Sequence, residues 1–230
     1  MTSLARDFPD VIAAAIFDFD ETMIDLEAQH THADVELCRA MGNDHSQMPE
    51  SFRFSSGRRI IDNIREMRTA FRWTEDEAAL FAIRQRMFDE ACATSALELM
   101  PAVDDVVRRL HEGGLRLAIT SSAVRSGIEA ILRRFDLGDC FELIVDGSEV
   151  EHGKPDPEAY EVTARKLRVE PKHCIVFEDS QVGVEAAKGA GMFCIAVRNP
   201  TARLPQELGG ADAVLDSFED LDVEALLLRR

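Results

Sequence analysis

Ile16-Phe17-Asp18-Phe19-Asp20-Glu21-Thr22 is a short apolar run ending in two carboxylates two residues apart, with a hydroxyl two residues further on. The apolar stretch 11–17 reads as a buried strand. Side chains alternate along a strand, so Asp18 and Asp20 are expected to project together from its end. Two adjacent carboxylates at an apolar strand end repel each other and resist desolvation unless a cation or a shared proton relieves them. Taken alone, the pattern is equally that of a strand-end turn, where Asp is common. The rest of the chain decides between the two.

From residue 100 onward, strand and helix patterns alternate. A helix over 101–111 stops at Gly113-Gly114, and an apolar strand over 115–119 runs into Thr120-Ser121-Ser122. A helix over 124–135, a strand over 141–145 and a helix over 157–167 follow. A strand over 174–177 runs into Glu178-Asp179-Ser180, and a helix over 182–190 comes next. Strands over 193–197 and 213–215 and a closing helix complete the pattern. Alternation of this kind predicts the α/β class, a doubly wound, mainly parallel sheet.

Residues 26–97 read differently, with helices over 26–41, 57–71 and 75–93 and no strand candidate between them. That is too much helix for one crossover. It predicts an inserted helical cap (26–97) on a core domain (1–25 and 98–230), placed over the strand ends where open parallel sheets bind ligands.

The 230 residues suffice for such a core with a smaller insert. A formal net charge of −17 argues against nucleic acid or an anionic membrane as partner, since both call for basic patches. An anionic substrate must therefore be drawn in by a local cation. The five cysteines are scattered and form no CxxC pair, so free thiols and a reducing, cytoplasmic setting are expected. The apolar stretch at 11–17 is too short to span a bilayer. Composition and pattern leave the oligomeric state unassigned.

Four strand ends carry polar residues that make chemical sense together: Asp18 and Asp20, Thr120-Ser121-Ser122, Lys154, and Glu178-Asp179. In a parallel sheet these ends share one edge. Asp18 and Asp179 offer hard oxygen ligands suited to Mg²⁺. Hydroxyls, backbone amides and one ammonium offer a cradle for a phosphoryl group. Cation, nucleophile and anion cradle together point to phosphoryl transfer. Lys154 is one of only four lysines among 26 basic residues, which makes its placement more telling. Arginine cannot readily replace a compact ammonium between a carboxylate and a phosphoryl oxygen.

These motifs, DFDET at 18–22, TSS at 120–122, GKPDP at 153–157 and FEDSQVGVEAAKGAGM at 177–192, resemble the haloacid dehalogenase-like superfamily over nearly the whole chain. The helical insert resembles the cap that members carry between their first two motifs. The likeness lies nearest the small-metabolite phosphatases and β-phosphoglucomutases. It implies a Rossmann-like core, Mg²⁺ as cofactor and a small phosphorylated metabolite as substrate.

By that resemblance Asp18 is the nucleophile that becomes an aspartyl-phosphate, and Asp20 the acid and base for the leaving oxygen and for water. Asp18, the Asp20 carbonyl and Asp179 hold the metal, with Glu178 ligating directly or through water. Thr22, Ser121 and its neighbours Thr120 and Ser122, and Lys154 meet the phosphoryl oxygens. The register of the second motif leaves Thr120 and Ser121 interchangeable. His30 matches a hinge histidine of mutases and many phosphatases, and reads equally as a surface histidine. Arg53, Arg58 and Arg59 can greet a second anionic group of the substrate or form a solvated face. Trp73 and Phe71 read as cap core. Glu21 stands where the family commonly has glycine, which puts the turn geometry and substrate range in question.

Asp20 argues against a dehalogenase, which needs no proton for its leaving group. The absence of lysine from residues 1–153 excludes a cap Schiff-base lysine. Thr22, where mutases tend to have valine, and Ile60, where they carry a cap arginine, favour a phosphatase of sugar or polyol phosphates over a β-phosphoglucomutase-like mutase. A non-catalytic binding protein is disfavoured, because every chemical position is filled.

Overall fold

The computed structural model describes residues 8–48, 57–202 and 206–230. Six strands, β1 (Ala14–Phe17), β2 (Arg116–Thr120), β3 (Leu143–Val145), β4 (Cys174–Glu178), β5 (Phe193–Val197) and β6 (Ala213–Leu215), form one sheet in the order β3-β2-β1-β4-β5-β6. Every pairing in it is parallel. Strand β1 is apolar along its whole length, and β4 is apolar up to its last residue, Glu178, because both faces are covered. Ala15 and Phe17 of β1 face helices α4 (Val103–Glu112), α5 (Arg125–Arg134) and α8 (Val223–Leu227). Ala14 and Ile16 face α6 (Glu158–Leu167) and α7 (Gln181–Gly189) on the other side. Phe17 stacks on Phe177 at 4.7 Å, which ties the two central strands through their side chains as well as their ladder.

The chain winds from β1 outward to β3, then returns to the far side of β1 as β4. Strand order therefore reverses between β1 and β4, and the crevice beyond their C-terminal ends is the ligand position of such sheets. Phe17 pairs with Ile119 on one side and Phe177 on the other. Asp18, Thr120 and Glu178 are consequently level with one another, one step further along.

Helices α1 (Glu27–Ala40), α2 (Ile60–Phe71) and α3 (Glu77–Thr94) follow β1. They build an apolar cluster of their own around Leu37, Ile64, Met67, Trp73 and Leu80. Trp73 stacks on Phe71 at 5.2 Å and donates its indole N–H to Asn43 Oδ1, the core role expected of it. The chain leaves toward these helices at Met23–Ile24 and returns at Leu99–Met100. Ile24 and Leu99 pair as an antiparallel bridge, and Met100 N donates to Met23 O at 2.9 Å.

The boundaries shift by one or two residues at several elements, and by three at β1 and α2. The first strand begins at Ala14 rather than at 11, because its ladder partners Arg116 and Cys174 begin opposite Ala14, and Val11 is left half exposed. Helix α2 starts at Ile60, since Gly57 sits at φ +79° and cannot open a right-handed helix. All five cysteines are free, and burial pushes the Cys38, Cys92 and Cys174 thiols up to about 12. Among the described residues no helix is long and apolar enough to cross a membrane.

Candidate active site

Lys154, in the loop between β3 and α6, reaches into the crevice and donates to Asp18 Oδ1 at 2.6 Å and Glu178 Oε1 at 2.5 Å. Tyr160, from the first turn of α6, donates to the same Glu178 oxygen at 2.6 Å. The other oxygen, Oε2, accepts from the Asp179 and Ser180 amides and from Ser180 Oγ. Glu178 is fully buried, and five donors hold it. Gly183 makes room for it, since a Cβ there would lie 1.9 Å from Glu178 Oε1. Glu178 thus serves as the anchor of Lys154, and the phenol and amides hold it in place.

Asp18, Glu178 and Asp179 present oxygens within 4.8 Å of one another, all buried. Burial pushes Asp18 up to about 7; Lys154 opposes this, and Glu178 adds to it. Burial, with the charges of Glu178 and Asp18, lifts Asp179 well above the carboxylate range. Burial works against the charge on Lys154, but its two carboxylate partners outweigh that and hold it above its ordinary value. One ammonium is set against three buried carboxyl groups, and burial resists the surplus negative charge that their full ionisation would bring. An all-oxygen donor set with that surplus fits a hard divalent cation such as Mg²⁺. Thr22 Oγ1 donates to Asp179 Oδ1 at 3.1 Å, and Gln206 Nε2 donates to the Asp179 carbonyl at 2.8 Å; together they orient this carboxylate. Thr22 therefore contacts the expected metal ligand instead of facing an open anion cradle.

Asp20 Oδ1 is buried without a hydrogen-bond partner, while its Oδ2 lies 3.5 Å from His30 Nε2. On the far side of the ring, Arg84 approaches His30 Nδ1 at 3.1 Å and donates to Asp34 Oδ1 at 2.6 Å, and Phe88 stacks on the imidazole at 4.4 Å. A guanidinium can only donate, so Nδ1 must accept and the ring proton sits on Nε2, facing Asp20. His30 is thereby brought to the site. Arg84 and Asp34 went unread in the sequence. The available signal was a lone arginine at the i, i+4, i+8 spacing of Leu80, Arg84 and Phe88, all buried along one face of α3.

The second motif resolves its register. The Thr120 hydroxyl is fully buried and paired with Thr163 Oγ1 at 2.6 Å behind the sheet edge, so the expectation that it can replace Ser121 is corrected. Alternation along β2 turns Thr120 toward α6. Ser121 Oγ accepts from the Ala123 amide, and Ser122 Oγ donates to the Gly57 carbonyl. Arg58 pairs with Glu66 on α2 at 2.7 Å, and Arg59 binds Asp62 and two loop carbonyls. Arg53 lies outside the described residues.

Glu21 occupies the left-handed region at φ 64°, which explains why glycine suits the position. Its carboxylate accepts from the Leu26 amide at 2.9 Å and from Asn199 Nδ2 at 2.7 Å. These bonds fasten the turn before α1 to the loop after β5. Glu21→Gly would relieve about 1 kcal/mol of backbone strain. It would also leave two buried donors unpaired, at about 1–3 kcal/mol each. Net destabilisation of about 1–5 kcal/mol in urea unfolding is the expected outcome, and a more stable variant would show that strain dominates.

The sequence profile of the haloacid dehalogenase-like hydrolases matches residues 15–197, and the chain belongs to that family. Hexitol phosphatase B of Escherichia coli (strain K12) is 31% identical over 228 residues, covering 95% of this chain and 98% of the relative. CbbY from Rhodobacter sphaeroides, solved in complex with xylulose-(1,5)bisphosphate, superposes with a TM-score of 0.80 at 28% identity, covering 92% of this chain and 97% of the other. The β-phosphoglucomutase of Clostridium difficile shares the fold with a TM-score of 0.81 at 22% identity, over 95% of this chain and 97% of its own.

Proposed function

We propose that this protein is a Mg²⁺-dependent phosphatase of small phosphorylated metabolites of the sugar or polyol type, acting through a phosphorylated Asp18. The observation that carries the reading is Lys154 Nζ placed between Asp18 and Glu178, whose carboxyl oxygens cluster with that of Asp179, at the reversal point of the sheet. The hexitol phosphatase relative supports the substrate class. Asp18, Asp179 and the Asp20 carbonyl would hold the ion, which supplies charge neutralisation to the approaching phosphoryl group.

Asp18 Oδ attacks phosphorus and the ester P–O bond breaks. Asp20, whose Oδ1 has no competing partner, gives a proton to the leaving alkoxide. Asp20 then takes a proton from water as the water oxygen attacks phosphorus, and the Asp18–phosphorus bond breaks to release inorganic phosphate. Lys154 offsets the negative charge between Asp18 and the phosphoryl oxygens in both steps. Ser121 and nearby amides orient those oxygens. His30 Nε2–H steadies the Asp20 carboxylate from the α1 side. The helices α1 to α3 act as a cap that closes over a small substrate and excludes bulk water.

Purified protein incubated with hexitol and sugar monophosphates is expected to release inorganic phosphate steadily, without a bisphosphate activator, and to stop when EDTA is added. Undiminished turnover in excess EDTA would remove the metal from the scheme. Interconversion of β-glucose 1-phosphate that needs a bisphosphate, with negligible phosphate release, would replace the phosphatase by a mutase.

A further inference from the structure

We infer that Arg59 is a positioning residue that couples closure of the helical cap to the placement of Lys154. The coupling to catalysis rests on the phosphatase reading above; the contact itself does not. Arg59 stands just before α2, and its side chain crosses to the sheet core. Nη1 donates to the carbonyls of Val150 and Glu151 at 3.1 and 2.9 Å, while Nε and Nη2 grip the Asp62 carboxylate. Its stem lies flat on Gly153, the residue before Lys154: a Cβ at Gly153 would meet Arg59 Nε at 2.8 Å and Cγ at 3.0 Å. Beside it, Ser122 Oγ donates to the Gly57 carbonyl, and a Cβ on Gly57 would lie 2.6 Å from Ser180 Oγ.

The cap therefore meets the core through a glycine on each side and one forked cation. The guanidinium makes four bonds here, two to carbonyls and two to one carboxylate, which is one more than the three donors of an ammonium allow. With four of its five N–H groups so directed, Arg59 has a structural partner at each end, and the loop it braces carries the only ammonium in the crevice among the described residues. Opening the cap withdraws the brace from residues 150–153 and loosens the loop that delivers Lys154. The pocket is then fully formed only when it is covered.

The test combines hydrogen–deuterium exchange with kinetics on Arg59→Ala, Arg59→Lys and Gly153→Ala, in the presence of Mg²⁺ and inorganic phosphate. Exchange at 147–153 should quicken in all three variants with thermal midpoints little changed. The double variant Arg59→Ala/Gly153→Ala should match Arg59→Ala alone, because the three atoms nearest the added methyl, Arg59 Nε, Cγ and Cδ, are then gone. Turnover should fall roughly 10- to 100-fold to the same extent on p-nitrophenyl phosphate and on hexitol phosphates, since the loss lies at the common phosphoryl group. Unchanged exchange at 147–153 in Arg59→Ala overturns the inference whatever the activity. A kinetic loss confined to substrates with a polar tail overturns it too, and makes Arg59 a substrate contact. Were the wild type inactive toward every phosphate ester, the exchange result would still decide the contact.

Discussion

Asp18→Asn should lower phosphate release by at least roughly 10³-fold, the scale on which removing a nucleophile acts. An amide is a far poorer nucleophile than a carboxylate, and two neighbouring carboxylates are already engaged: Glu178 is saturated with donors, and Thr22 holds Asp179. Folding should not suffer. The substitution removes one of three carboxylates crowded out of water, and Lys154 keeps Glu178 as its partner. Metal-free Asp18→Asn should therefore melt at or above the wild-type temperature. Turnover within tenfold of wild type would move the nucleophile elsewhere. A sharp fall in melting temperature would instead mark Asp18 as a structural partner of Lys154.

Lys154→Ala should fail in both respects. Removing an ammonium aimed at developing phosphoryl charge costs roughly 10²–10³ in turnover. Breaking a buried ion pair from one side costs about 3–5 kcal/mol, because Asp18 and Glu178 are left facing each other without compensation. The double variant Lys154→Ala/Asp18→Asn should recover part of the stability and none of the activity. Lys154→Arg should not rescue either property, since a planar fork does not fit between two carboxylates at 2.6 and 2.5 Å from one nitrogen. Urea unfolding and single-turnover phosphate release separate the two losses. Equal stability of Lys154→Ala and wild type would mean that the ion pair adds nothing to the fold.

The sheet was legible because parallel strands announce themselves as apolar runs, and Phe193–Val197 and Ala213–Leu215 fall where the sequence places them. Asp18 and Glu178-Asp179 were legible for a related reason, as the first polar residues at the end of such a run, and Lys154 by the scarcity of lysine in the chain. What escaped depends on contacts between distant segments. The Asn199 amide on Glu21 joins residues 178 apart, and Arg84 meets His30 across 54. Thr120 and Ser121 could not be told apart because a one-residue step exchanges the two faces of a strand. Arg59 read as an anion contact or a solvated face from its charge alone; backbone carbonyls leave no mark in a sequence.

The bridge between Ile24 and Leu99 has a consequence for how this architecture changes over time. The outgoing and returning chains are hydrogen-bonded to each other, so the three helices join the sheet through a double-stranded strap. Such a strap asks one thing of whatever it carries: ends that lie ~5 Å apart, the spacing of an antiparallel pair. A different helical cassette with that property can be exchanged at Ile24 and Leu99 while Asp18, Lys154 and Asp179 keep their places on the sheet edge. The chemistry and the choice of substrate are thereby free to diversify at different rates.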